Sequence, residues 1–125
     1  MTTATSQQRS ALVVEDEVMI RMMVVDMLEQ LGYRIAAEAG DIDDAVRLAK
    51  CTDFDFAILD VNVNGRLISP VAEAIEGLNR PFVFATGYGV QGLPEKFRDR
   101  PLLQKPFQME TLSRVIQGAL GATAA

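Results

Sequence analysis

Histidine is missing from the 125 residues altogether, and cysteine occurs once, at Cys51. The first absence excludes metal sites with Cys/His ligand spacing, and the second excludes an intrachain disulfide. A lone thiol fits a reducing cytoplasm, and Cys51 itself reads as a helix-end packing residue. Long apolar runs are lacking too. The strongest candidate, residues 18–31, is interrupted by Arg21, Asp26, Glu29 and Gln30, too short and too charged to cross a bilayer. Basic residues are in deficit, with 12 Lys and Arg against 17 Asp and Glu, a formal charge of -5. With a pI near 4.6, the chain has no basic footprint for phosphate backbones, so no nucleic-acid partner and no membrane partner are expected.

The composition that remains is 49% hydrophobic, which suffices for one packed core in a chain of this length. Residues 1–10 are rich in Thr, Ser and Gln and lack the apolar stretch of a secretory signal. They read as a flexible tail before a single domain over 11–120, with a second short tail over 121–125.

Within that domain, apolar runs and helix-period segments alternate. Residues 11–14 form a strand that stops at Glu15-Asp16-Glu17, and the helix that follows ends at Gly32. A strand over 33–39 leads to Asp41 as N-cap and a helix over 42–51. The third strand, 54–59, runs into Asp60, and Asn-Val-Asn-Gly after it is a turn by composition. Pro70 marks the start of a third helix that runs to Gly77. Strands over 81–85 and 102–104 and an amphipathic helix over 107–120 complete the series. Short apolar strands joined through helices predict a parallel sheet covered on both faces, an α/β doubly wound, five-stranded (βα)5 domain. Ligands in such sheets lie beyond the carboxyl ends of the strands.

That rule gathers Glu15, Asp16, Asp60, Thr86 and Lys105 at one edge, each directly after a different strand or sharing a turn with its neighbour. Any one of them could be a helix cap or a solvated turn residue; five together are harder to explain so. Asp60 follows Ile58-Leu59, where a bare buried carboxylate costs several kcal/mol. Three crowded carboxylates repel one another unless a hard cation is present, and an all-oxygen set suits Mg²⁺ or Mn²⁺. The same inventory suits phosphoryl transfer to Asp60, with Lys105 and the Thr86 hydroxyl binding the other phosphoryl oxygens.

These residues resemble a known family, the bacterial response-regulator receiver domains, over nearly the whole chain. The matching motifs are Val-Val-Glu15-Asp16-Glu, Ile-Leu-Asp60, Phe-Ala-Thr86-Gly and Lys105-Pro106-Phe107. The resemblance implies a flavodoxin-like fold and a cis Lys105–Pro106 bond. It also implies Mg²⁺ bound by Asp16, Asp60 and the backbone carbonyl of Asn62, with Glu15 acting through water, and Thr86 reporting phosphorylation. The chain would then be a stand-alone response regulator of a phosphorelay, a phosphoacceptor rather than an enzyme, serving as messenger or phosphate sink. The alternative is a degenerate receiver kept as a phosphorylation-independent interaction module. An aspartyl phosphohydrolase would need a second acid where Asn62 stands, and a flavin site would be repelled by Glu15-Asp16-Glu17.

Three departures qualify the resemblance. Asp60 is followed by Val-Asn-Val-Asn-Gly65 rather than Met-Pro, and Leu102 stands where an aromatic ring usually couples to the hydroxyl. Gly87, Gly89, Gly92 and Pro94 fall where a regular fourth helix is usual, at roughly 1 kcal/mol per interior glycine, so a short or mobile fourth helix is expected. Tyr88 is a candidate moving aromatic in such a switch. The Phe-Ala-Thr-Gly segment resembles a subclass of single-domain receivers often paired with sensor histidine kinases of the HWE or a related type. At about 100° per residue, Val18, Met22 and Val25 share a half-circle of the first helix with Arg21, Asp26, Glu29 and Gln30. This apolar stripe is the expected docking face for a kinase or phosphotransfer protein, with a downstream target as a further possible partner.

Overall fold

The apolar runs do form a parallel sheet, and in the computed structural model, which describes residues 8–87 and 89–124, every residue of its three central strands is buried. In chain order the elements are β1 (Ser10–Val14), α1 (Val18–Gln30), β2 (Arg34–Ala39), α2 (Ile42–Cys51), β3 (Phe56–Asp60), β4 (Asn62–Val63), β5 (Arg66–Leu67), α3 (Ser69–Gly77), β6 (Phe82–Thr86), β7 (Leu102–Gln104) and α4 (Met109–Ala124). The main sheet runs β2-β1-β3-β6-β7, all parallel, and strand order reverses beside β1. This is the flavodoxin-like arrangement, with a ligand site expected at that reversal.

Side chains along a strand point alternately to opposite faces, so each apolar run supplies two cores. Leu12, Val14, Leu59, Phe82 and Phe84 meet Ile42 and Ala45 of α2 and Val71 and Ile75 of α3 on one side. Ala11, Val13, Ile58, Val83 and Leu103 meet Val24 and Leu28 of α1 and Leu112 and Ile116 of α4 on the other. The helix boundaries have local causes. Asp41 caps α2 by accepting the Asp44 amide at 2.7 Å, and Gly32 turns the chain out of α1 at φ 94.

Several boundaries shift from the sequence expectation. The third strand begins at Phe56, not at residue 54; Phe54 is buried ahead of it, with the Arg80 guanidinium 4.6 Å above its ring. The last helix starts at Met109 and continues through Ala124, where residues 121–125 read as a tail, and Ser10 already belongs to β1. The turn after Asp60 is a small antiparallel hairpin, β4–β5, closed by Asn64 at φ 54 and Gly65 at φ 80. Two central residues with positive φ are what a tight two-residue hairpin demands, and Asn-Gly is its usual sequence, a cue that composition alone had reduced to a generic turn.

The short or mobile helix expected between β6 and β7 is not an α-helix: among the described residues, two 3₁₀ turns, Gly89–Gly92 and Glu95–Phe97, make the connection. Tyr88 lies outside the described residues. The segment is anchored by Leu93 and Phe97, both buried, and the Phe97 ring lies 5.8 Å from those of Phe82 and Phe84. Arg100 stacks 4.8 Å above Phe82 and joins Lys96 in pairing with Glu76 of α3. Leu102, half-buried, packs against the same core.

If Phe97 is the anchor, Phe97→Ala should lower the unfolding free energy by about 3–5 kcal/mol in urea denaturation. Lys96→Ala, which removes an exposed ion pair with Glu76 and an ammonium 5.3 Å above the Phe97 ring, should cost far less, about 1 kcal/mol.

Candidate functional site

Register brings the site together. Val14 pairs with Leu59, Asp60 with Ala85, and Thr86 with Gln104, so Glu15, Asp60, Thr86 and Lys105 emerge at nearly the same level of the sheet edge. Backbone bonds hold that level: the Lys105 amide donates to the Thr86 carbonyl at 2.8 Å, and the Glu15 amide to that of Ala39 at 3.0 Å. The Lys105–Pro106 bond is cis, as the resemblance implied.

Lys105 Nζ donates to Glu15 Oε1 at 2.8 Å and to Asp60 Oδ1 at 3.1 Å, bridging two acids that would otherwise repel. Asp16 completes the group: Glu15, Asp16 and Asp60 each offer a carboxylate oxygen within 4.8 Å of the others. Asp60 is only 8% exposed and Thr86 3%, whereas Asp16 is half-buried. Asp60, Asn62, Thr86 and Lys105 line one cleft of about 410 Å³, together with Val61, Leu67, Gly87 and Gly92. All six residues singled out in the sequence thus converge on one place.

The charges respond to this crowding. Burial pushes the carboxyls of Glu15 and Asp60 above their ordinary values, against the opposing pull of Lys105. Burial also works against the Lys105 ammonium, but its bonds to Glu15 and Asp60 outweigh it and hold the proton more tightly than usual. Asp16 moves the other way: burial would raise it, yet the Asn64 amide and the Glu15 side chain bring it below the ordinary range. Three oxygen donors at this spacing fit a hard divalent cation such as Mg²⁺, and a cation would relieve the repulsion that raises Glu15 and Asp60.

Three contributors escaped the sequence reading. Asn64 donates its backbone N–H to Asp16 Oδ2 at 2.9 Å and its side-chain amide to the Gly40 carbonyl at 3.1 Å. Arg21 of α1 donates to the Glu15 carbonyl at 2.8 Å and pairs with Glu38. Gly40 makes room for it, since a Cβ there would fall 2.7 Å from Arg21 Nη1. Only the Asn-Gly pair carried a local cue; the other two are set by packing between elements distant in sequence.

On α1, Val18 and Met22 are exposed as expected, at 57% and 63%, but Val25 is half-buried against the core. Met19 at 83% and Met23 at 45% extend the exposed patch instead. Among the described residues, no helix is long and apolar enough to cross a membrane.

Because the folded state holds the Glu15 and Asp60 protons more tightly than the unfolded chain, it loses stability as pH rises from below 4.5 and 3.8 through their raised values. Asp16 contributes oppositely, its stabilisation present above 3.8 and lost as pH falls through its lowered value. Without divalent cations, Asp60→Asn should therefore gain stability relative to the wild type between about pH 4 and pH 7, measured by chemical denaturation at both values.

Comparison with known proteins agrees with the geometry. The family model of the response regulator receiver domain matches residues 11–117. The transcriptional regulatory protein PdtaR of Mycobacterium tuberculosis is 36% identical over 116 residues, which are 90% of this chain but 57% of the relative, so the chain spans about half of that protein's length. The solution structure of SdrG from Sphingomonas melonis Fr1 is 39% identical with a TM-score of 0.79, covering 94% of this chain and 98% of that one. The receiver domain of sensor histidine kinase PA1611 from Pseudomonas aeruginosa PAO1, solved with magnesium coordinated in its active-site cleft, is 26% identical with a TM-score of 0.77 over 91% of this chain and 98% of its own. With the family model spanning residues 11–117, this chain belongs to the response regulator receiver domain family.

Proposed function

We propose that this chain accepts a phosphoryl group on Asp60 from a sensor histidine kinase, of the HWE type, or from a phosphotransfer protein, and passes the signal on through a partner. The observation that carries this reading is the Lys105 ammonium held between Glu15 and Asp60 with Asp16 alongside. A carboxylate oxygen of Asp60 attacks phosphorus, forming an acyl phosphate as the bond to the donor's nitrogen breaks. Mg²⁺, held by Asp16, Asp60 and the Asn62 carbonyl with Glu15 behind them, would supply charge neutralisation for the phosphoryl oxygens. Lys105 is free to turn from the carboxylates to a phosphoryl oxygen, and Thr86 lies in the same cleft to donate its hydroxyl. The chain is a phosphoacceptor that assists its own modification, not a turnover enzyme, and works in the cytoplasm.

Phosphoryl occupancy would be felt by the segment between β6 and β7, because Gly87 and Gly92 form one wall of the cleft. With Leu102 in place of a rotating ring, reordering of the 3₁₀ turns is the response we assign. The exposed Val18, Met19, Met22 and Met23 patch, rimmed by Asp26 and Glu29, supplies the kinase-docking surface on α1.

Incubation with a small phosphodonor and Mg²⁺ should label the wild type and leave Asp60→Asn unlabelled; label retained by the variant would move the acceptor elsewhere. Met22→Asp should slow phosphotransfer from the cognate kinase roughly tenfold while leaving small-donor labelling unchanged. A pull-down with and without beryllofluoride separates the two roles: a messenger gains a partner on activation, and a phosphate sink does not.

A further inference from the structure

We propose that Asn64, at the tip of the β4–β5 hairpin, is a positioning residue that sets the orientation of the Asp16 carboxylate for a divalent cation. The inference rests on the Mg²⁺ reading of the acidic site. Asp16 lies two residues past the end of β1, in a turn, and is the most exposed of the three acids, so neither strand pairing nor close packing fixes its side chain. A carboxylate that swings freely must be immobilised at each binding event, which weakens the site.

The hairpin supplies what the turn lacks. Asn64 N–H occupies Asp16 Oδ2 at 2.9 Å, which stops the rotation of the carboxylate and leaves its other oxygen for the cation. Asn64 is in turn held from three sides. Its side-chain amide donates to the Gly40 carbonyl at 3.1 Å, its backbone is committed to φ 54 by the two-residue turn, and the hairpin base is rooted by buried Val63 and by the Ile68 amide on the Val61 carbonyl at 2.9 Å. The anchor is braced as well: Gly40 lies directly against Arg21, whose Nη1 donates to the Glu15 carbonyl at 2.8 Å. The groups that hold the two acids thus meet at one glycine, Arg21 lying beside it and Asn64 bonded to it.

Asparagine suits the position on two counts. It tolerates positive φ better than most residues with a side chain, and it carries an amide donor that reaches a carbonyl. Glycine would satisfy only the first requirement. Asn64→Gly thus keeps the turn and the backbone N–H while releasing the tip from Gly40, which isolates the tether from the fold.

The test is a Mg²⁺ titration of the full chain followed by amide NMR. In the wild type, the Asn64 amide proton should shift as the cation draws charge from Asp16, with the same midpoint as the Val61 amide beside Asp60. In Asn64→Gly, the Val61 midpoint should move to higher Mg²⁺, by less than the roughly tenfold that loss of a ligand's direct partner brings, because the N–H stays and only its tether to Gly40 is lost. Its thermal midpoint without Mg²⁺ should stay near that of the wild type. Equal Mg²⁺ midpoints in the two proteins, or an Asn64 resonance that does not move while Val61 does, would overturn the proposal alone. A wild type with no response to Mg²⁺ anywhere would overturn it together with the Mg²⁺ reading.

Discussion

The ammonium of Lys105, bonded at once to Glu15 and Asp60, is the interaction on which the sheet edge depends. Two carboxylates with almost no access to water would be strongly destabilising if left to repel each other in a low-dielectric surrounding. One lysine offsets much of that penalty but cannot satisfy three acids, and the raised carboxyls of Glu15 and Asp60 register what is left uncompensated. A site with residual negative charge is one that a divalent cation or a phosphoryl group with its cation can complete. The instability of the edge and its capacity for chemistry have the same origin.

Maintaining such an edge requires rigid supports. The two cores on opposite faces of the sheet hold the strands in register, so that four segments far apart in sequence end at the same edge of the sheet. Where the sheet stops, other bonds take over: the Arg21 side chain holds the backbone of Glu15, and the Asn64 backbone N–H holds the carboxylate of Asp16. The acids can therefore be crowded without splaying apart, and a bound cation has little to reorganise.

The opposite wall of the cleft is built differently. Between β6 and β7 the chain makes two 3₁₀ turns anchored by Leu93 and Phe97, with Arg100 and Lys96 gathered on Glu76. Short turns with few backbone bonds of their own cost less to rearrange than a regular helix. One side of the site is braced and the other is held by a few side chains, an asymmetry suited to a domain whose cleft is read from outside.

Strand and helix alternation, the parallel sheet and the placing of Glu15, Asp16, Asp60, Thr86 and Lys105 at or just past the carboxyl ends of strands were legible in the order of residues. Each depends on local periodicity and on the rule that parallel strands need crossovers, neither of which requires knowing what packs where. The glycines and Pro94 pointed to a short or mobile helix between β6 and β7, where two 3₁₀ turns stand instead. Beyond local reach lay the hairpin's grip on Asp16, the meeting of Arg21 and Asn64 at Gly40, and the choice of Met19 and Met23 over Val25 for the surface of α1. Helical spacing defines the stripes of α1, but only the docked sheet and neighbouring helix decide which stripe is covered. A hydrogen bond between residues 48 apart exists only because the tertiary fold has already brought two turns together, and no local preference of either residue encodes it.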